Sequence, residues 1–138
     1  MIVFLIVLAV LGGSLLYVRL EYKRNVDLVN WLTDYDAGIS KAKAEGKVVL
    51  IDFYADWCSW CKTLDRETYG NGEVASYLNG NLVCIKINVE ENISLSNNYN
   101  ITALPTIVFL SDDGMEVDRI VGYMPSDQFL VHVKGIMS

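Results

Sequence analysis

The sequence is poor in proline, histidine and positive charge. With 2 prolines in 138 residues, 52% hydrophobic and 20% charged residues, it cannot be a disordered chain, because disordered chains lack the apolar surface that offsets chain entropy. The 11 Lys and Arg residues are outnumbered by 17 Asp and Glu residues without any basic run, which argues against a nucleic-acid partner. The length suits one domain with a real core.

Charge is absent from the first 18 residues, of which 15 are apolar. As a helix this stretch would span about 27 Å, close to the thickness of a bilayer core. We predict a transmembrane anchor over residues 1–18, a linker over 19–30 and a folded domain over 31–138. A cleaved signal peptide is the alternative for residues 1–18, although no charged segment precedes the apolar run and no clear cleavage site closes it.

The remainder of the sequence predicts alternating helices and strands, and therefore an α/β domain. Apolar runs rich in β-branched residues predict strands, whereas capping residues and glycines bound the helices. The predicted strands are 48–54, 82–89, 106–110 and 116–121, with a hairpin turn at 112–114, and the predicted helices are 34–45, 59–69, 73–78, 94–99 and 126–135.

Two cysteines separated by two residues lie where the first predicted strand passes into a helix. Cys58 would begin that helix, where unpaired backbone N–H groups and the helix dipole stabilise a thiolate. We therefore assign Cys58 as the nucleophile and Cys61, one turn further along, as the resolving thiol that releases a mixed disulfide.

Other uses of this pair fit the sequence less well. Covalent haem attachment requires a histidine after the second cysteine, and this position is Lys62. A zinc site would need further ligands from Cys84 and His132, which stand alone on separate predicted elements. We interpret Cys84 as a small buried packing residue and His132 as a helix-surface or packing residue. An inert structural disulfide would stabilise the fold little, because closing a four-residue loop removes little entropy from the unfolded chain.

The residues from Val49 to Lys62, with Tyr-Ala-Asp-Trp-Cys as their most specific part, and the later Ala-Leu-Pro-Thr at 103–106 resemble the thioredoxin superfamily. The likeness is greatest to the C-terminal periplasmic domain of the DsbD-type thiol:disulfide interchange proteins and covers about residues 31–137. The resemblance implies a thioredoxin fold, in which a central mixed sheet is flanked by helices. It also implies a redox disulfide between Cys58 and Cys61.

The resemblance further implies roles for residues around the cysteines. Asp52, six residues before Cys58, matches a buried acid that assists proton transfer, and an apolar strand should raise the pKa of its carboxyl. Lys86 matches the partner of that acid, with an exposed strand lysine as the alternative, and Gly122 matches a glycine near the site. Pro105 matches a cis-proline beside the disulfide. The implied substrate-binding residues are Trp57, Trp60, Leu104, Pro105 and Thr106.

Departures from the family pattern bear on the direction of electron transfer. The dipeptide between the cysteines is Ser59-Trp60, without the histidine of strongly oxidising relatives. Asp56 adds a negative charge that favours the thiol form of Cys58. Because oxidising power requires a stabilised thiolate, we predict a reductant or disulfide carrier that uses no cofactor and no metal.

The sequence thus predicts a membrane-anchored thiol:disulfide oxidoreductase whose soluble domain is monomeric. Its partners would be protein thiols and disulfides and a membrane electron donor. The alternatives are a non-catalytic docking or chaperone module on the same fold, and a thioredoxin of cytochrome c maturation. The resemblance implies an extracytoplasmic, periplasmic domain, whereas Arg19, Lys23 and Arg24 after the apolar segment favour the cytoplasm by the positive-inside rule. Export after signal cleavage is the third arrangement.

Overall fold

The computed structural model describes residues 28–138. The predicted anchor over residues 1–18 and residues 19–27 of the predicted linker lie outside the described residues. Within residues 28–138, no helix combines the length and apolarity that crossing a bilayer requires.

Five strands and five α-helices build the described domain, with one π-helical turn between two of the helices. In chain order they are β1 (Trp31–Leu32), α1 (Tyr35–Glu45), β2 (Val48–Tyr54), α2 (Ser59–Thr63), the π-helical turn (Leu64–Tyr69), α3 (Gly72–Asn81), β3 (Leu82–Asn88), α4 (Ile93–Asn98), β4 (Thr106–Leu110), β5 (Glu116–Val121) and α5 (Ser126–Met137).

The strands form one mixed sheet in the order β1-β3-β2-β4-β5. The central strand β2 runs parallel to β3 and antiparallel to β4, so that Asp52 lies opposite Lys86 on one side and Ile107 on the other. Phe53 pairs with Thr106. The end of β2 therefore lies beside the start of β4, which brings the loop carrying the cysteines and the loop carrying Pro105 to the same edge of the sheet.

Helices cover both faces of this sheet. Side chains alternate between the two faces of each strand, so that apolar side chains on both faces pack against helices. One cluster joins Leu50 and Phe109 of the sheet to Leu78 of α3 and Phe129 of α5. A second cluster on the opposite face includes Ile51, Ile85 and Ala42 of α1. The predicted fold class, a mixed sheet flanked by helices, is confirmed.

Strands β2, β4 and β5 have the predicted bounds, and the bounds of β3, α1, α4 and α5 differ from the predicted ones by one or two residues. Three features depart further from the sequence-based prediction. The short strand β1 has no predicted counterpart, because two residues show no periodicity. Helix α3 continues through Gly80 to Asn81, although an interior glycine favours an earlier end. The predicted single helix 59–69 changes to π-helical geometry at Leu64.

Helix α1 illustrates how local signals fix an element. Asp34 is its N-cap and accepts a hydrogen bond from the Ala37 backbone N–H at 3.0 Å, as capping aspartates do. The helix ends at Gly46, as predicted.

Candidate active site

Cys58 and Cys61 form a disulfide at the start of α2, with their Cα atoms 5.3 Å apart. Cys58 has extended backbone geometry and occupies the N-cap position, where its sulfur accepts a hydrogen bond from the Cys61 backbone N–H at 3.2 Å. This is the place where sequence analysis located the nucleophile. The same N–H can stabilise a thiolate on Cys58 once the disulfide is reduced.

The disulfide is covered by apolar side chains. Cys58 is 5% exposed and Cys61 is 3% exposed. They form a small cluster with buried Ala55, against which Tyr54, Val89 and Leu104 pack. Both sulfur-bearing residues are therefore largely shielded from solvent, Cys58 slightly less than Cys61.

The loop before β4 lies against this cluster through Leu104. The Leu104–Pro105 peptide bond is cis, the form that the resemblance implied. The Pro105 carbonyl accepts a hydrogen bond from the Gly122 N–H at 2.8 Å, and Gly122 has a φ of 93°, which disfavours any side chain there. Buried Thr106 donates its hydroxyl to the Ala103 carbonyl at 2.7 Å.

Asp52 and Lys86 form an ion pair within the sheet, as the resemblance implied. The Lys86 Nζ atom donates to Asp52 Oδ2 at 3.0 Å, and Asp52 is 1% exposed. Burial raises the pKa of the Asp52 carboxyl, although the nearby Lys86 charge partly offsets this effect. Asp52 Oδ1 has no hydrogen-bond partner in the described part of the chain, so one oxygen of the carboxylate remains able to accept a proton.

Lys86 also binds a second acid, Asp65, which sequence analysis did not identify. The distance from Lys86 Nζ to Asp65 Oδ1 is 2.5 Å, and Asp65 lies on the π-helical turn. Burial lowers the pKa of Lys86, but the two carboxylates outweigh this effect and leave the pKa raised. Lys86 is therefore a largely buried cation, with 16% of its side chain exposed, which does not fit the alternative of an ordinary exposed strand lysine.

Three aromatic rings surround this lysine. Its Nζ atom lies 4.8 Å from the ring centre of Trp31, 5.0 Å from that of Tyr54 and 5.3 Å from that of Tyr69. Rings at these distances attract a cation through their electron-rich faces. The positive charge is thus held in place by residues of β1, β2 and the π-helical turn together.

The two tryptophans next to the cysteines are exposed. Trp57 is 69% exposed and Trp60 is 59% exposed. The Trp57 indole N–H donates to the Glu90 carboxylate, and the Trp60 ring stacks on Tyr123. Sequence analysis missed Glu90 and Tyr123, because a polar or aromatic residue far along the chain shows no local sign of such a contact.

The remaining candidates stay apart from the disulfide. Cys84 is buried and unpaired, and burial raises the pKa of its thiol to about 12, so it is mostly protonated near neutral pH. His132 pairs with Asp118 at 2.6 Å between α5 and β5. Across residues 28–138, no cluster of His, Cys, Asp or Glu has the arrangement of a metal site.

The sheet, the helices and the disulfide at the edge of the sheet define a redox domain of the dithiol type. A family model described as a thioredoxin-like domain matches residues 35–134. The chain belongs to the thioredoxin-like family.

Known proteins with similar sequences are thiol:disulfide interchange proteins DsbD. The protein from Pseudoalteromonas atlantica is 34% identical over 125 residues, which cover 86% of this chain and 20% of that protein. The protein from Vibrio cholerae is 37% identical over 108 residues, which cover 74% of this chain and 18% of that protein. The chain thus spans about a fifth of the length of these relatives.

Solved thioredoxins share the fold. A poplar thioredoxin h has 30% identity and a TM-score of 0.67, with 80% of this chain and 96% of that chain covered. A thioredoxin from Thermus thermophilus has 24% identity and a TM-score of 0.71, with 79% and 87% covered. Family, fold and paired cysteines together support thiol:disulfide oxidoreductase chemistry.

Proposed function

We propose that this chain is a membrane-anchored protein-disulfide reductase or disulfide carrier that works through Cys58 and Cys61. The observation that carries the proposal is the position of Cys58. Its sulfur accepts the Cys61 N–H at 3.2 Å, at the edge of the sheet where the loop containing cis-Pro105 also lies. This arrangement provides both a stabilised nucleophile and a surface for the partner chain.

The exchange reaction passes through one mixed disulfide. In the reduced chain, the Cys58 thiolate attacks one sulfur of a partner disulfide, and the other partner sulfur leaves as a thiolate that takes a proton from water. Cys61 then loses its proton and attacks Cys58 Sγ, so that the mixed disulfide breaks and the second partner thiolate leaves. Two electrons pass to the partner, and the Cys58–Cys61 disulfide forms again.

Asp52 is the group we propose to accept the Cys61 proton. Its carboxyl is buried and has one oxygen without a partner among the described residues. Because burial raises its pKa, it can take up and release a proton closer to neutral pH than an exposed aspartate can. The nearby Lys86 charge opposes this rise in the pKa of Asp52.

The proposed direction is reduction of partner disulfides, and it rests on the residues that border Cys58. Ser59-Trp60 offers no histidine to stabilise a thiolate, and Asp56 places a negative charge two residues before the nucleophile. Both features favour the thiol and hence a reducing pair.

We further propose that residues 1–18 anchor the chain in a membrane with its redox domain on the extracytoplasmic side. The apolar run of 18 residues supports the anchor, and the resemblance to the periplasmic domain of DsbD-type proteins supports the orientation. A topology reporter fused after Ser138 that is active only outside the cytoplasm should give a signal; silence would place the domain inside.

Trapping tests the redox function. The Cys61→Ala variant should hold partner proteins in a mixed disulfide that a reducing agent releases, while the wild-type chain should reduce insulin disulfides. Cys84→Ala removes a buried thiol outside the site and serves as the matched control, which should trap nothing and reduce insulin normally. Absence of both trapped partners and insulin reduction would leave a non-catalytic docking module as the better description.

A further inference from the structure

Trp60 is an exposed aromatic residue within the redox motif itself. Its ring lies 5.5 Å from that of Tyr123, with 28° between the planes, so that one face of the indole is stacked. Trp60 nevertheless remains 59% exposed. Tryptophan and tyrosine are enriched at protein interfaces, because their rings combine a large apolar surface with a polar group.

The Tyr123 ring is held by the π-helical turn. Its hydroxyl donates to Glu67 Oε2 at 2.7 Å, and the Thr68 hydroxyl donates to the Met124 carbonyl at 2.7 Å. Consecutive residues of the turn therefore bind consecutive residues after β5. The stacked pair is fixed before any partner arrives, which lowers the entropy cost of binding.

The surroundings of the other exposed tryptophan are acidic. Trp57 donates its indole N–H to Glu90, and exposed Asp56 and Glu91 adjoin these two residues along the chain. Residues 87–118 contain no lysine or arginine. A partner segment with a negative charge next to its cysteine would be repelled here, whereas an uncharged apolar segment would not.

We propose that Trp60 and Tyr123 form an aromatic platform that selects partner disulfides whose cysteine lies next to an aromatic or aliphatic residue. The inference rests on the proposed function, because the platform acts while Cys58 attacks the partner. The free face of Trp60 receives the apolar side chain, and the acidic residues near Trp57 disfavour acidic neighbours of the cysteine. Trp60 and Tyr123 are thus specificity-determining residues.

The test uses the full chain, reduced in advance and freed of reductant, in single-turnover reactions. The substrates are three peptides, each joined to glutathione through its single cysteine, with tryptophan, serine or glutamate next to that cysteine. Oxidised glutathione is the reference substrate. We expect the tryptophan peptide to react about two- to tenfold faster than the serine peptide, in line with one aromatic contact, and the glutamate peptide to react slowest.

Variants separate the platform from the redox reaction, because the readout is a ratio of rates. Trp60→Ala should abolish the preference for the tryptophan peptide, and Tyr123→Phe, which keeps the ring and loses the bond to Glu67, should reduce it in part. Met115→Ala is the matched control. Met115 is 66% exposed and lies beyond Leu110, at the opposite end of the sheet, so this variant should keep the preference.

Three outcomes would overturn the inference. If the three peptides reacted at equal rates while oxidised glutathione was reduced normally, the proposed specificity of Trp60 and Tyr123 would be wrong and the proposed function would stand. Retention of the preference in Trp60→Ala would have the same consequence. If the wild-type chain self-associated and the Trp60→Ala variant was monomeric, the exposed surface of Trp60 would be a contact with a second copy of the chain. Failure to reduce any substrate, including glutathione, would instead count against the proposed function itself.

Discussion

At the scale of single residues, the chemistry beside the disulfide depends on one cation shared by two unequal acids. Lys86 Nζ contacts Asp52, whose side chain is 1% exposed, and Asp65, whose side chain is 26% exposed. A shared cation stabilises each carboxylate less than a dedicated partner would. This explains why the effect of burial prevails at Asp52 and raises its pKa.

Replacing Asp52 by asparagine should change how stability depends on pH. Because the folded-state pKa of Asp52 lies above its ordinary value of 3.8, the folded chain holds a proton where the unfolded chain has released it. The stability due to this proton is complete below about pH 4 and is lost as the pH rises through the folded-state pKa. The stability of Asp52→Asn relative to wild type should therefore increase with pH, by about 1.4 kcal/mol for each unit of pKa shift.

Urea unfolding of the oxidised chain at several pH values measures this difference. Asp113→Asn is a control of opposite sign, because hydrogen bonding from Ser111 lowers the pKa of Asp113. Its loss of stability relative to wild type should develop as the pH rises through the lowered folded-state pKa of Asp113 and should be complete above about pH 4. Parallel stability curves for Asp52→Asn and wild type would contradict the assignment of Asp52 as an acid whose pKa is raised by burial.

Replacing Lys86 by methionine should destabilise the fold strongly at neutral pH. The change removes the partner of buried Asp52 and leaves its charge uncompensated, which costs about 3 to 5 kcal/mol in comparable buried pairs. The double variant with Asp52→Asn should recover most of this loss, since no buried charge then remains unpaired at position 52. Urea unfolding of the four chains checks the coupling, and an equal loss in the single and double variants would show that the ion pair is not its cause.

Much of the site could be predicted from residues close together in the sequence. Cys58, Cys61, Asp52 and Pro105 lie in motifs whose spacing carries the family resemblance. Asp65 could not be found in this way. It lies on the π-helical turn after α2, and residue preferences do not distinguish the hydrogen bonding of a π-helical turn from that of an α-helix.

At the scale of whole elements, the fit of α1 against β3 depends on the absence of a side chain at Gly38. A Cβ atom there would lie 2.3 Å from Ile85 Cδ1 and 2.6 Å from Ile85 Cγ1. Ile85 is fully buried, so neither atom has room to withdraw. Gly38→Ala should therefore destabilise the domain by about 1 to 3 kcal/mol through overpacking, despite the better helix propensity of alanine.

Gly80→Ala is the matched control for this helix position. Gly80 lies in α3, and apart from its chain neighbours and the backbone of its own helix, no atom of the described residues lies within 4 Å of the place that a Cβ atom would occupy there. The same substitution should therefore stabilise the domain by about 0.5 to 1 kcal/mol. Combining Gly38→Ala with Ile85→Val should restore part of the loss. If thermal unfolding gave the same change in stability for Gly38→Ala and Gly80→Ala, the proposed steric clash with Ile85 would be contradicted.

Elements with strong local patterns were predictable, and those that depend on distant contacts were not. The apolar, β-branched runs of β2 and β4 could be bounded from sequence alone, since each is buried along its length. Strand β1 exists because Trp31 and Leu32 pair with Cys84 and Ile85 of β3. Two residues show no periodicity of their own, so only the neighbouring strand defines them.

At the scale of the whole molecule, the proposed direction of electron transfer is linked to global stability. The reduction potential of the pair in the folded chain differs from that in the unfolded chain by the difference between the stabilities of the oxidised and reduced folds. About 30 mV corresponds to about 1.4 kcal/mol for two electrons. A reducing pair therefore implies a fold that is more stable when oxidised, whereas a strong oxidant has a more stable reduced fold.

We expect the oxidised chain to unfold at a higher denaturant concentration than the reduced chain, with a free-energy difference of at least about 1 kcal/mol. The measurement is best made with Cys84→Ala, because removal of this unpaired thiol prevents disulfide exchange during unfolding. Equilibration with glutathione buffers gives the potential of the folded pair independently, and the two results must agree through the thermodynamic cycle. A reduced form that is the more stable one would reverse the proposed direction and make the chain a disulfide donor, while leaving the Cys58 mixed-disulfide chemistry unchanged.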